Sequence, residues 1–210
     1  MPTRQRPGKR KSARLRRARN ELRIIGGTWR GRRVKFPDVA AIRPTPDRVR
    51  ETLFNWLQHD IAGRRCLDLF AGSGALGLEA LSRGAAQVVF VDREHAVIEQ
   101  LRATFALLGA RGTGLEQRDA LRFLEGDSRP FEIVFLDPPF NANLLPGVCT
   151  ALETRGWLAP GALIYLEVPA HEALPELPAN WRLLKSGRAG EVGYHLARRV
   201  EPPPGQGDTR

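Results

Sequence analysis

Asp137-Pro138-Pro139-Phe140 sets one carboxylate, two residues without a backbone N–H and one aromatic ring directly after the apolar run at residues 133–136. Neither proline can donate to a ladder, and each biases the residue before it towards extended geometry. The stretch reads as a rigid corner at the carboxyl end of a buried strand. Such a corner can hold a flat heterocycle with a free amino group: carboxylate and backbone carbonyl accept its N–H bonds, and the ring stacks on its face. It can equally be a turn that merely ends a strand, so its meaning depends on the rest of the chain.

A second constellation lies upstream. Asp68 precedes Gly72, Gly74 and Gly77, which match the G-x-G-x-x-G pattern of a dinucleotide loop. Glycines there let a ligand approach the backbone closely where a strand gives way to a helix. A nicotinamide dinucleotide and S-adenosylmethionine both fit that description, and Asp92, ending the next strand, suits the ribose of either. Asp68 separates them, because a pyrophosphate beside it would be repelled while an ammonium or sulfonium would be attracted. Asp119, ending the third strand, can accept from an adenine amino group. Acids at the ends of consecutive strands favour the cationic, phosphate-free ligand. His59, His95, His171 and His195 show no metal-ligand spacing, so no metal is expected.

These residues need elements to position them. Beyond residue 60, strands are predicted at residues 66–70, 88–91, 115–117, 133–136 and 163–167, the last after a turn at Pro160-Gly161. Helices alternate with them at 75–83, 95–108, 120–124 and 144–154, with Ala96, Val97, Leu101, Phe105 and Leu108 facing inward from the second. Two final strands, 181–185 and 192–197, flank a hairpin turn at residues 187–190. The pattern predicts an α/β fold, a doubly wound and mostly parallel seven-stranded sheet of Rossmann-like form with an antiparallel C-terminal hairpin. Ahead of it, strands at 22–25 and 33–36 turn at Gly26-Gly27 and Gly31. A helix then opens with Thr45 as N-cap, Pro46 in its first turn and Asp47 at its positive end. Val49, Leu53, Trp56 and Leu57 form its apolar stripe. The expected division is a disordered basic tail (1–20), an N-terminal extension (21–60), the main domain (61–200) and a second disordered tail (201–210).

The formal net charge of +10 is concentrated at one end. Residues 1–19 carry nine cations and no acid, and residues 22–50 add eight cations against Asp38 and Asp47, whereas residues 51–210 are net acidic. Such a field attracts polyanions with salt-dependent affinity, which points to nucleic acid. No apolar run approaches the ~20 residues that span a bilayer, and no apolar segment follows the basic start, so neither a membrane span nor a secretory signal is expected. Cys66 and Cys149 lack metal-ligand spacing and read as packing residues of a reduced, cytoplasmic protein.

Taken together, Asp68-x-x-x-Gly72-x-Gly74, Asp92, Asp119 and Asp137-Pro-Pro-Phe140 resemble the ordered motifs of class I S-adenosylmethionine-dependent methyltransferases acting on exocyclic amino groups. More selective are Arg23-Ile-Ile-Gly-Gly-x-x-Arg30-Gly-Arg32-Arg33, Arg43-Pro-Thr-x-Asp47-Arg48-Val-Arg50-Glu51-Thr-Leu-Phe-Asn55-Trp56 and the run from Phe70 to Arg83. They resemble the RsmD-type 16S ribosomal RNA guanine-N2 methyltransferases along roughly residues 22–198. The resemblance implies catalysis at Asp137, Pro138, Pro139 and Phe140. It implies S-adenosylmethionine held by Asp68, Phe70, Gly72, Gly74, Asp92, Asp119 and Ala120. Arg23, Arg30, Arg32, Arg33, Arg43, Arg48 and Arg50 are candidates for gripping RNA, and Arg43, Arg48 and Arg50 also for closing over the cofactor. The implied partner is 16S rRNA, with a small-subunit particle expected and free RNA open as the alternative, and the protein is expected to be a monomer. A DNA adenine-N6 methyltransferase, a non-catalytic RNA-binding assembly factor and a dehydrogenase remain alternatives, and site chemistry alone does not separate guanine from adenine.

Overall fold

A computed structural model describes residues 20–37, 45–139 and 143–200. A two-stranded antiparallel sheet, β1 (Glu21–Arg23) with β2 (Arg33–Lys35), and helix α1 (Asp47–Trp56) precede the main sheet. The rest runs β3 (Arg65–Asp68), α2 (Ala75–Ser82), β4 (Gln87–Asp92), α3 (His95–Leu108), β5 (Thr113–Gln117), α4 (Ala120–Leu124), β6 (Phe131–Leu136), α5 (Leu145–Thr154), β7 (Leu158–Pro169), β8 (Trp181–Ala189) and β9 (Val192–Arg199). The seven strands lie in the order β5-β4-β3-β6-β7-β9-β8, parallel from β5 to β7 and antiparallel at β9 and β8. This is the doubly wound sheet that the alternating pattern predicts. Strand order reverses between β3 and β6, and ligands in open α/β sheets bind at the carboxyl ends beside such a switch. Asp68 ends β3, and Asp137 follows β6.

Helices cover both faces. Val49 and Leu53 of α1, Leu76 and Leu78 of α2, and Val97, Leu101 and Phe105 of α3 pack with Leu22, Ile24 and Val34 against one face. Phe123 and Leu124 of α4 and Val148, Cys149 and Leu152 of α5 cover the other. Cys66 and Cys149 are both buried in this packing. Among the described residues, no helix is long and apolar enough to cross a membrane.

Several local expectations change. Thr45 is not the N-cap of α1: Pro46 occupies that position without a side-chain cap, and Thr45 is buried elsewhere. The inward stripe of α1 runs through Val49, Arg50, Leu53 and Phe54, with Leu57 beyond its end. Trp56 is half-buried and meets Tyr194 at 5.5 Å between ring centroids. On α3 Ala96 is exposed and Ile98 buried instead, because the stripe starts one residue later. Pro160-Gly161 sits inside β7 as a bulge, where the register with β6 shifts. Residue 187 is in strand, and β8 continues to Ala189. A Cβ on Gly187 would run into the Tyr194 ring, so that glycine answers to packing rather than to a turn.

Candidate active site

The glycine loop is strung between two carboxylates. Asp68 is almost fully buried, and its Oδ2 accepts the Gly77 backbone N–H at 2.9 Å. Asp92 Oδ2 accepts from the Gly72 N–H at 2.9 Å while its Oδ1 accepts from that of Glu94 at 2.9 Å. Gly72 and Gly74 adopt φ of 49° and 74°, a left-handed backbone that side chains disfavour. A Cβ on Gly77 would collide with Phe90, so the third glycine lets α2 lie close on β4. Burial pushes the Asp68 carboxyl up to about 7, with the Gly77 N–H opposing and the charges of Asp137 and Asp92 adding to the rise. Burial likewise raises Asp92, against the two N–H groups it accepts.

This arrangement tests what the loop can hold. A dinucleotide places its pyrophosphate on the free N–H groups of the helix start. Here an Asp68 oxygen already occupies one of them, and the residues acting on that carboxylate are further acids. The donor set fits a ligand carrying positive charge and no phosphate.

Asp119 turns out to be the N-cap of α4. Its Oδ1 accepts from the N–H groups of Leu121 at 3.0 Å and Arg122 at 3.4 Å, which fixes the loop at the end of β5. Asp119 is exposed, Ala120 is buried, and half-buried Phe70 packs against the α4–α5 core. The expected acids therefore do gather at the carboxyl edge of the sheet, three of them with one shared structural task of fixing loops there.

Beside them, Asp137 is half-buried, Pro138 buried and Pro139 exposed; Phe140 lies outside the described residues. Thr45 donates its hydroxyl to Asp137 Oδ2 at 3.2 Å. Glu167 of β7, which sequence reasoning passed over, lies against the same group and is only 2% exposed. Tyr165 donates its hydroxyl to Glu167 Oε1 at 2.8 Å. Burial pushes Asp137 up to about 6, with Thr45 and Glu167 opposing. Burial and the Asp137 charge drive Glu167 well above the usual carboxylate range. The cleft at this corner is lined by Pro138, Pro139, Asn143, Leu144, Glu167, Val168 and Glu172 among others. A signal for Glu167 existed: one acid inside the otherwise apolar run at residues 162–168.

The arginines separate into two kinds. Arg50 is fully buried, which removes it from the nucleic-acid candidates. It sits one residue from Val49 and three from Leu53, on the inward side of α1. Its guanidinium donates to the carbonyls of Thr45 at 3.2 Å and Arg23 at 3.0 Å, to Glu79 at 3.4 Å and to Asp47 at 2.6 Å. Glu79 of α2 also accepts from the N–H groups of Ile25 at 2.9 Å and Gly26 at 2.7 Å and from Arg83 at 2.9 Å. This buried network fastens the N-terminal extension to the main sheet. Arg23, Arg30, Arg32, Arg33 and Arg48 are exposed. Arg33 pairs with Glu21 at 3.5 Å, and Arg32 donates to the Leu107 carbonyl at 3.1 Å. Trp29 is half-buried against the core. Arg43 lies outside the described residues.

Known proteins are similar to this chain over most of its length. A family model described as "Conserved hypothetical protein 95" matches residues 22–198. The ribosomal RNA small subunit methyltransferase D of Escherichia coli is 50% identical over 179 residues, covering 85% of this chain and 90% of that protein. The protein of the same name from Haemophilus influenzae is 44% identical, covering 85% and 94%. Among solved structures, a putative methyltransferase yhhF from Escherichia coli superposes with a TM-score of 0.81 at 48% identity, covering 86% of this chain and 98% of that one. An RNA methyltransferase from Salinibacter ruber, solved in complex with S-adenosyl-L-homocysteine, shares the fold with a TM-score of 0.55 at 19% identity, covering 79% and 100%.

Proposed function

The chain belongs to the RsmD family of small-subunit ribosomal RNA methyltransferases, and from that premise we propose that it methylates the exocyclic N2 of a guanine in 16S rRNA. It is an S-adenosylmethionine-dependent rRNA methyltransferase; guanine, N2 and the residue roles are the finer part of this reading. The observation that carries them is the Asp137 carboxylate, half-buried beside Pro138 at the end of β6 and held by Thr45.

S-adenosylmethionine supplies a methyl group on a sulfonium with a neutral thioether as leaving group. Asp68, Phe70, Gly72, Gly74, Asp92, Asp119 and Ala120 would hold it, in the acid-rich edge that suits its charge. An aromatic amine is a poor nucleophile because its lone pair is delocalised into the ring. Asp137 and the Pro138 carbonyl would accept its two N–H bonds and turn the lone pair out of conjugation, so positioning and electrostatics do the catalysis. Phe140, from its place in the sequence, would stack on the base, a contact of about 1–3 kcal/mol. A target already unstacked in an RNA loop costs least to bring there. The exposed Arg23, Arg30, Arg32, Arg33 and Arg48, with Arg43 and the basic residues 1–20, would meet RNA phosphates, and residues 21–60 would serve as a combined RNA-binding and lid segment. We place the protein in the cytoplasm as a monomer, acting on a small-subunit particle.

Two experiments test the reading. The purified protein should gain thermal stability from S-adenosylmethionine and little from NAD; the opposite response would overturn the ligand assignment. Labelled methyl transfer should favour undermethylated small-subunit particles over naked rRNA and DNA, and preferred transfer to DNA adenine would overturn the substrate.

A further inference from the structure

We propose that Glu167 is a positioning residue for Asp137: its protonated carboxyl donates to Asp137 and keeps that group an anion aimed into the cleft. The proposal rests on the amine-methylating reading of Asp137. Its geometry begins with register. Leu136 pairs with Leu166 across the parallel β6–β7 ladder, so Asp137, the first residue past β6, comes beside Glu167, still within β7. Two carboxyl groups in contact cannot both stay ionised without a cation or enough donors between them.

The donors are few. Tyr165 gives its hydroxyl proton to Glu167 Oε1, and Thr45, whose hydroxyl lies against both acids, gives its single proton to Asp137 Oδ2. Neither hydroxyl has a second proton to place between the acids. The other groups facing Glu167 are Tyr194, opposite it on β9, Asp68 at the end of β3, and Glu172 on the rim of the cleft. All are acids or phenols, and no cation faces the pair among these described groups. One carboxyl must therefore carry a proton. Glu167 is 2% exposed whereas Asp137 is half-buried, so the desolvation cost of charge falls more heavily on Glu167. With Oε1 accepting from Tyr165, the Glu167 proton sits on Oε2 and points to Asp137. Burial and the neighbouring charge raise Glu167 in the same sense.

The arrangement also completes the proton balance. As the base nitrogen forms its new N–C bond, the C–S bond of the donor breaks and the nitrogen takes up positive charge. One N–H proton then passes to the Asp137 carboxylate. The products are a neutral methylated amine, a neutral thioether and two neutral carboxyl groups, and the cleft returns one proton from Asp137 to water.

Glu167→Gln keeps a neutral donor in the same place; Glu167→Leu removes it. Infrared difference spectra at neutral pH read the proton directly: wild type should show a protonated carboxyl band that Glu167→Gln lacks. Methyl transfer from labelled S-adenosylmethionine to undermethylated particles should fall away in wild type at low pH, as Asp137 protonates, and again at high pH, as Glu167 ionises. Glu167→Gln should lose the high-pH limb and retain most of kcat. Glu167→Leu should lower kcat by about tenfold or more, the worth of a hydrogen bond to a charged group, with its low-pH limb moved upward and S-adenosylhomocysteine affinity unchanged by calorimetry. A protonated-carboxyl signal as large in Glu167→Gln as in wild type, where Asp68 contributes to both, or a high-pH limb that survives in Glu167→Gln, would overturn the proposal. Undiminished turnover in Asp137→Ala would instead overturn the catalytic reading, leaving the infrared result to stand on its own.

Discussion

Thr45 and Asp137 lie 92 residues apart in sequence, yet the hydroxyl of one donates to the carboxylate of the other at 3.2 Å. This contact joins the start of α1 to the corner after β6, and so makes the N-terminal extension part of the site.

Thr45→Val keeps the shape of the side chain and removes the donor. Without it the half-buried Asp137 carboxylate is less stabilised, so its pKa should rise further and the low-pH limb of turnover should move to higher pH. We expect kcat to fall by about three- to tenfold, the range of a single hydrogen bond, with Thr45→Ser restoring most of it. A pH profile identical to wild type would show that Thr45 does not govern Asp137.

Arg50 and Arg48 should part company, although both looked alike as cations of a basic segment. Arg50→Ala leaves Glu79 buried without its full set of partners and should cost about 3–5 kcal/mol of stability in urea unfolding. Arg48→Ala should leave stability nearly unchanged and lower the salt dependence of RNA binding. Equal effects of the two substitutions on stability would contradict the buried network.

Asp68 sets a pH dependence of stability. Its folded pKa of about 7 lies above the unfolded carboxylate value, so the native state binds more protons than the unfolded state between roughly pH 4 and 7. Stability should therefore fall as pH rises through that window, and the Asp137 shift to about 6 adds in the same direction. Asp68→Asn, whose carbonyl can still accept from Gly77, should flatten the decline in thermal midpoint with pH. A slope equal to that of wild type would place the effect elsewhere.

Gly187 provides a packing test. Gly187→Ala drives a methyl into the Tyr194 ring and should destabilise by about 1–3 kcal/mol. No change in the unfolding midpoint would return Gly187 to the role of a turn residue.

The parts of this site legible in the sequence are those whose chemistry depends on near neighbours. Asp137 is marked by its two prolines, Asp68 by the glycines after it, Asp92 by the strand it ends and Asp119 by the strand just before it. Glu167 is marked only as one acid in an apolar run, because its meaning comes from Asp137 just past the adjacent strand and Tyr194 on the next. Arg50 misled for the same reason: its partners Glu79 and the Arg23 carbonyl are distant in the chain, and a cation in a basic run looks solvated until the helix is docked. Thr45 had the right residue type for a cap, but a hydroxyl that satisfies a helix N–H can satisfy a carboxylate as well. The fold was more legible than the strand ends, because alternation fixes element type while bulges at Leu183–Lys185 and before Leu163 depend on pairing.

The central claim is that Asp137 orients a guanine amine for methylation. It is tested most directly by labelled methyl transfer to undermethylated small-subunit particles, using wild type and Asp137→Ala, with the modified nucleoside identified after digestion. We predict N2-methylguanosine from wild type and almost no label from Asp137→Ala, whose affinity for S-adenosylmethionine should remain near that of wild type. Label on another base or on ribose, or normal turnover without the Asp137 carboxylate, would contradict it.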